Sequence, residues 1–289
     1  MPSTVIQWFP GHMAKTRRLM QENLTKVDVL IEVLDARIPH SSRNPEIHRI
    51  AGQKPMLTLL NKAGLADPME TDRWIAHFKS KGDSVIAVDC VSGDGIKKIP
   101  DAIRTVLADK VTRYREKGME GRRLRAMIVG IPNVGKSSLI NRLCGSGKTK
   151  VENRPGVTMT KQWVGTDIGL DLMDMPGVLW PKFDDQTVGE NLAFTGAIKD
   201  QILDVEELAM LLAVRLGTLC PALLCTRYKL TMEDIAGLDG YDLLSLIGKK
   251  RGMLISGGET DLGRAANMLL DEFRHAVIGR ITLEKASED

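Results

Sequence analysis

One glycine-rich loop, set between an apolar strand and a helix, constrains this chain more than any other segment. Leu124 to Val129 (LRAMIV) reads as a buried strand and runs into Gly130-Ile131-Pro132-Asn133-Val134-Gly135-Lys136-Ser137, followed by SLINRL. The run matches GxxxxGK[ST] and lies where that motif must lie, after a strand and at the opening of a helix. Its glycines let backbone N–H groups curl around phosphates, and the helix N-terminus adds a favourable dipole. The candidate phosphate contacts are Asn133, Val134, Gly135, Lys136, Ser137 and Ser138, with Lys136 reaching the β- and γ-phosphates and the Ser137 hydroxyl ligating Mg2+. Such a chain binds a nucleotide.

The pattern around the loop is that of an α/β protein. Val27 to Leu34, Pro55 to Leu60 and Ser84 to Val88 are further apolar runs, separated by helix-like stretches, as βαβ units of a mostly parallel sheet require. Gln162 to Thr166 and Leu170 to Met173 flank Gly169 and predict a hairpin at one edge. Beyond Pro181 no convincing strand run appears. Val205 to Leu216 and Leu262 to Val277 repeat apolar residues at helical spacing, with Leu262, Ala265, Leu269, Phe273 and Val277 expected on one face. The expected organisation is a nucleotide-binding domain over residues 1–184 and an all-helical domain over 185–289.

Two further segments complete a nucleotide site. Asp174-Met175-Pro176-Gly177 ends the strand GLDLMD; Asp174 is placed to hold Mg2+ through water, and the Gly177 N–H to contact the γ-phosphate. Between this and the P-loop, Pro155-Gly156-Val157-Thr158 lies among small and polar residues. Thr158 there can coordinate Mg2+ and sense the γ-phosphate, with Thr160 as the competing choice. Base recognition calls for Asn-Lys-x-Asp at a strand end, and nothing after residue 180 fits. Asn61-Lys62-Ala63-Gly64 instead follows the strand PMLTLL upstream, and SVIAVDCVSGDG comes next, resembling the loop whose backbone, here near Asp89 and Cys90, meets the guanine oxygen. The elements therefore run base loop, second base loop, P-loop, switch, DxPG.

In that order, together with QWFPGHMAKT and LDARIP near the start, GAIKD at Gly196 to Asp200 and the closing RAANMLLDEFR and GRITLE, the chain resembles the circularly permuted GTPases of the ribosome biogenesis GTPase A family. The resemblance implies a circularly permuted Ras-like P-loop GTPase domain followed by a C-terminal all-helical domain. It implies a GTPase that binds the large ribosomal subunit precursor and its rRNA, hydrolysing GTP as a late assembly checkpoint. One position departs from the family's NKxD: Gly64 stands in place of the aspartate whose carboxylate pairs with guanine N1 and N2. Such a bidentate pair is worth on the order of a hundredfold in discrimination. Relaxed base choice follows as an expectation, with Asp67 as an alternative carboxylate.

The resemblance also supplies catalytic expectations. Ras-like enzymes place a glutamine after DxxG to orient water, whereas Val178 here cannot hydrogen-bond. The family's candidate is the histidine of WFPGHM, His12, whose imidazole can orient or polarise an attacking water. Asn133 corresponds to the asparagine of potassium-activated relatives that helps seat K+ beside the β,γ-bridge; its bland alternative is a turn asparagine.

Charge and cysteine content bound the partners. Forty Lys and Arg against thirty-seven Asp and Glu exclude a histone-like polycation. Basic residues cluster, however, at Lys15, Arg17 and Arg18, at Lys110 to Arg125 and at Lys249 to Arg251, each a solvated face or a phosphate-backbone contact. Cys90, Cys144, Cys220 and Cys225 lack zinc spacing and suit a reduced chain. Without a long apolar segment or a signal-like start, the expectation is a cytoplasmic monomer that avoids membranes. The competing function class is a P-loop NTPase switch of relaxed base specificity acting on a protein or small molecule.

Overall fold

The computed structural model describes residues 12–119, 121–145, 163–180, 183 and 185–286, with His12 and Met13 as backbone only. Six strands form one sheet: β1 (Val29–Asp35), β2 (Met56–Asn61), β3 (Ser84–Ala87), β4 (Leu124–Val129), β5 (Trp163–Gly165) and β6 (Leu170–Asp174). Their spatial order is β3-β2-β1-β4-β6-β5. Every pairing is parallel except β5 with β6. All seven residues of β1 are buried, as expected of a central parallel strand covered on both faces. The polar member of that run, Glu32, is satisfied by His48 Nε2 at 2.9 Å and by Thr58 Oγ1 at 3.3 Å.

The helices of the sheet-bearing half are α1 (His12–Leu24), α2 (Pro45–Ala51), α3 (Pro68–Ser80), α4 (Ile99–Val106), α5 (Ala108–Glu116) and α6 (Lys136–Cys144). Those that follow are α7 (Gln186–Phe194), α8 (Val205–Leu219), α9 (Pro221–Tyr228), α10 (Met232–Ile235), α11 (Gly240–Lys250) and α12 (Leu262–Arg274). Aspartates start several of them: Asp67, Asp185, Asp204, Asp239 and Asp261 each accept a first-turn N–H. Helix α8 buries Leu208, Ala209, Leu212, Ala213 and Leu216 at three- and four-residue spacing and packs against α11 and α12. Among the described residues, everything from Gln186 onward is helix or loop apart from a single bridge between Leu254 and Thr260.

One expectation about α12 needs correction. Leu262, Ala265, Leu269 and Phe273 lie within it, but Val277 does not share the face; it is 48% exposed. The helix stops because Ala276 turns left-handed (φ 55°) and the Val277 N–H bonds back to Glu272 O at 2.8 Å, a Schellman-type closure. The chain then returns to the sheet. Ile281 N–H donates to Leu65 O at 3.2 Å, Leu283 N–H to Arg37 O at 2.8 Å, and Glu284 accepts from the His40 and Ser41 N–H groups at 2.7 and 3.0 Å. The C-terminal tail thus closes over the loops that follow β1 and β2.

Candidate nucleotide site

The loop after β4 and the start of α6 have the shape the motif demands. Gly135 caps α6 with φ 98°, and a Cβ there would sit 2.3 Å from the Asn61 Nδ2, so glycine is required twice over. Lys136 is buried and folds its Nζ back onto the carbonyls of Gly130 at 3.2 Å and Ile131 at 2.8 Å. Burial lowers its ammonium to about 8, against the opposing pull of Asp174. A phosphate would restore the lost charge compensation. Ser137 is half-buried, while Ser138 and Asn133 are exposed.

Asp174, at the end of β6, faces this lysine. Desolvation raises its carboxyl above the ordinary range, opposed by Lys136 and by the Met175 N–H. Its Oδ1 is buried without a hydrogen-bond partner among the described groups. An orphaned carboxylate oxygen beside the first turn of a P-loop helix fits a divalent cation. The DxPG segment is packed hard against the P-loop: a Cβ on Gly177 would fall 2.6 Å from Pro132 N. Val178 N–H donates to Gly130 O at 3.2 Å and Val178 O accepts from the Asn44 amide at 2.8 Å. The Val178 side chain is buried and carries no group that could orient a water.

At the other end, Asn61 closes β2 and is almost wholly buried. Its Nδ2 donates to Val134 O at 2.7 Å, and its Oδ1 accepts from the Cys90 N–H at 3.1 Å. One side chain therefore ties the P-loop to the loop after β3. Lys62, left-handed at φ 60°, pairs through Nζ with Asp35 Oδ2 at 2.9 Å. Although burial pushes Asp35 up, Arg37 and Lys62 hold it well below the usual carboxylate range. The backbone N–H groups of Asp89 and Cys90, expected to meet a guanine oxygen, are bonded inside the protein, to Asp94 O at 2.9 Å and to Asn61 Oδ1. Asp67 is committed elsewhere: its carboxylate caps α3 through the Glu70 N–H at 3.0 Å. Cys90 is half-buried, and desolvation followed by Asp89 raises its thiol to about 11, so it is inert as a nucleophile.

Sequence spacing missed the Asp35–Arg37 pair, joined by bonds of 2.7 and 2.9 Å, whose carboxylate in turn holds Lys62. Its only signal was the LDARIP string. Arg37 also donates to Arg274 O at 3.1 Å, and Arg274 holds Asp200 through two bonds of 2.7 Å. Asn133 Nδ2 donates to Gly196 O at 2.6 Å. Both ends of the site thus touch the GAIKD segment or the helix packed on it. Of the remaining expected residues, Thr158 and Thr160 lie outside the described residues, as does the side chain of His12, whose backbone opens α1.

A parallel sheet with one antiparallel edge strand, a P-loop on its fourth strand and an Asn-Lys turn on its second define a P-loop GTPase of permuted order. A family model described as "50S ribosome-binding GTPase" matches residues 125–217. The ribosome biogenesis GTPase A of Bacillus cereus is 46% identical over 286 residues, covering 98% of this chain and 95% of that protein. The mitochondrial ribosome-associated GTPase 1 of Bos taurus is 33% identical, covering 97% and 89%. Among solved structures, a GDP-bound YlqF superposes with TM-score 0.67 at 24% identity over 94% of this chain and all of that one. GNP-bound YlqF from T. maritima superposes with TM-score 0.61 at 24% identity, over 95% and 99%. The chain belongs to the ribosome biogenesis GTPase A family and is a GTP hydrolase. Among the described residues no single helix is long and apolar enough to cross a membrane.

Proposed function

We propose that this GTPase binds the large ribosomal subunit precursor and hydrolyses GTP as a late assembly checkpoint, working as a cytoplasmic monomer. The observation that carries the reading is the Asn133–Gly196 bond, which joins the phosphate loop to the helical part. A change at the phosphates that moves the P-loop or the adjoining DxPG segment would be felt directly by α7 and, through Arg274 and Asp200, by α12. In this reading residues 1–184 are the switch and 185–289 the partner-facing unit. The rRNA contact draws on the exposed Lys117, Lys249 and Lys250. Arg123 and Arg17 contribute less, being paired with Asp171 at 2.6 Å and Glu46 at 2.7 Å.

Within the site, Lys136 and the N-terminus of α6 take the β- and γ-phosphates, Gly177 meets the γ-phosphate, and Asn61 and Lys62 flank the base. Ser137, Asp174 and Thr158 would hold Mg2+, which neutralises charge on the β,γ-oxygens. With Val178 buried, His12 orients the attacking water. The Asn133 amide nitrogen is held by Gly196, leaving its oxygen as the atom that would face K+.

The test is single-turnover and steady-state GTP hydrolysis with and without purified large subunits. Subunits should stimulate turnover, and co-sedimentation with a nonhydrolysable analogue should weaken steeply with salt. His12→Ala should lower turnover at least tenfold with nucleotide affinity nearly unchanged; unaltered turnover removes His12 from the mechanism. Replacing KCl by NaCl at matched ionic strength should slow hydrolysis, and equal rates would discard the potassium role. Absence of both stimulation and co-sedimentation would favour a switch acting on another partner.

A further inference from the structure

Gly64 lacks the side chain that would carry a base-reading acid, yet the space beside it is filled. Asp89 Oδ2 accepts the Gly64 N–H at 3.0 Å, while Oδ1 accepts the N–H groups of Val91 at 2.8 Å and Ser92 at 3.0 Å. A Cβ built on Gly64 would lie 2.7 Å from Asp89 Oδ2 and 3.5 Å from its Cγ. A side chain at 64 and the Asp89 carboxylate in this position therefore exclude each other. Asp89 is 6% exposed and sits next to Cys90, whose N–H is bonded to Asn61. The carboxylate is thus anchored one residue from the backbone group held by Asn61, the side chain that also holds the P-loop.

We propose that the Asp89 side chain is the guanine-specificity determinant of this GTPase, carried on the loop after β3 instead of the loop after β2. A carboxylate accepts about four hydrogen bonds. Among the described residues three are taken, by Gly64, Val91 and Ser92, which leaves one acceptor position on Oδ2, on the Gly64 side. Guanine presents N1–H and N2–H donors along the edge an acid reads; adenine presents a ring-nitrogen acceptor and a C–H there. An acceptor-only group favours the first and repels the second. Three backbone bonds hold the carboxylate in place before the base arrives, so little ordering is required on binding. One charge-assisted bond replaces a bidentate pair, so discrimination is kept but reduced, to roughly ten- to hundredfold. The inference rests on the nucleotide lying along the P-loop with its base at Asn61.

The experiment measures affinities of the full chain for GDP and ADP in wild type, Asp89→Asn and Lys136→Ala. In Asp89→Asn the Val91 and Ser92 N–H groups still need the side-chain oxygen. The new amide would therefore turn its nitrogen toward Gly64 and the base, giving up the Gly64 bond, opposing guanine and suiting adenine. GDP affinity should fall about ten- to hundredfold while ADP affinity holds or rises. A merely structural Asp89 would weaken both nucleotides equally, and an unchanged GDP-to-ADP ratio overturns the proposal. Should Asp89→Asn lose cooperative thermal unfolding, Asp89→Ser and the double variant Gly64→Asp, Asp89→Ser decide. A ratio lost in the single variant and regained in the double one supports the assignment; a ratio kept in Asp89→Ser alone overturns it. GDP binding that survives Lys136→Ala would instead overturn the placement of the nucleotide. Loss there with an unchanged ratio in Asp89→Asn rejects only the Asp89 assignment.

Discussion

The two ends of the nucleotide site are built in different ways. The core of the phosphate end is one continuous segment, Gly130 to Ser137, whose Lys136 folds back onto the carbonyls of Gly130 and Ile131, so that its shape follows largely from the loop itself. The base end is assembled from three separate stretches: Asn61 and Lys62 after β2, Asp89 and Cys90 after β3, and Asp35 with Arg37 at the end of β1. The C-terminal tail covers the loop after β2, with Arg280 donating to Ala66 O at 2.9 Å and Thr282 accepting the Asp67 N–H at 3.1 Å. A contiguous device leaves little room for substitution. A dispersed one can move a functional group from one loop to its neighbour if the space is shared, as Gly64 and Asp89 share it.

The largest effect should separate the ends outright. Lys136→Ala removes the buried ammonium proposed to meet the phosphates, and it should weaken GDP and ADP alike by at least about a hundredfold. Equilibrium binding of both nucleotides checks it. A loss confined to GDP would mean that the lysine serves the base end, and the division between the two ends would fail.

Next in size is Asn61→Ala, which acts where the ends meet. Two buried groups, Val134 O and the Cys90 N–H, would lose their partner, each at a cost of about 1–3 kcal/mol. Thermal unfolding should shift down by several degrees, and GDP affinity should fall about tenfold or more. A variant with an unchanged midpoint would show the two ends to be independent.

That contrast also explains which features are legible in the sequence. The sheet strands, the P-loop and the helical character of the last third are readable because hydrophobic period and motif spacing are local. Leu124 to Val129 coincides with β4 residue for residue. The end of α12 falls short of the expected Val277 because Ala276 adopts a left-handed conformation that its residue type does not advertise. Gly64 reads as a lost function because its neighbour in space, Asp89, is 25 residues away in sequence. Asp67 looks available in sequence, whereas its carboxylate is committed to the first turn of α3. Long-range pairing decides such positions, and no window on the chain contains it.

The smallest effect is a pH dependence that belongs to the phosphate end alone. Burial holds the Lys136 ammonium at about 8, with Asp174 acting in the opposite direction. Bound phosphates favour the protonated form, so the lysine's pKa rises in the complex. The sign follows: affinity is level below about 8 and falls as pH climbs through it, by at most about tenfold per unit. Titration of GDP binding from about pH 7 to about pH 9 should show this decline, and ADP should follow the same curve because the base is not involved. A flat profile for both nucleotides would mean that the lysine keeps its charge in the free protein. A decline for GDP alone would separate the pH dependence from Lys136.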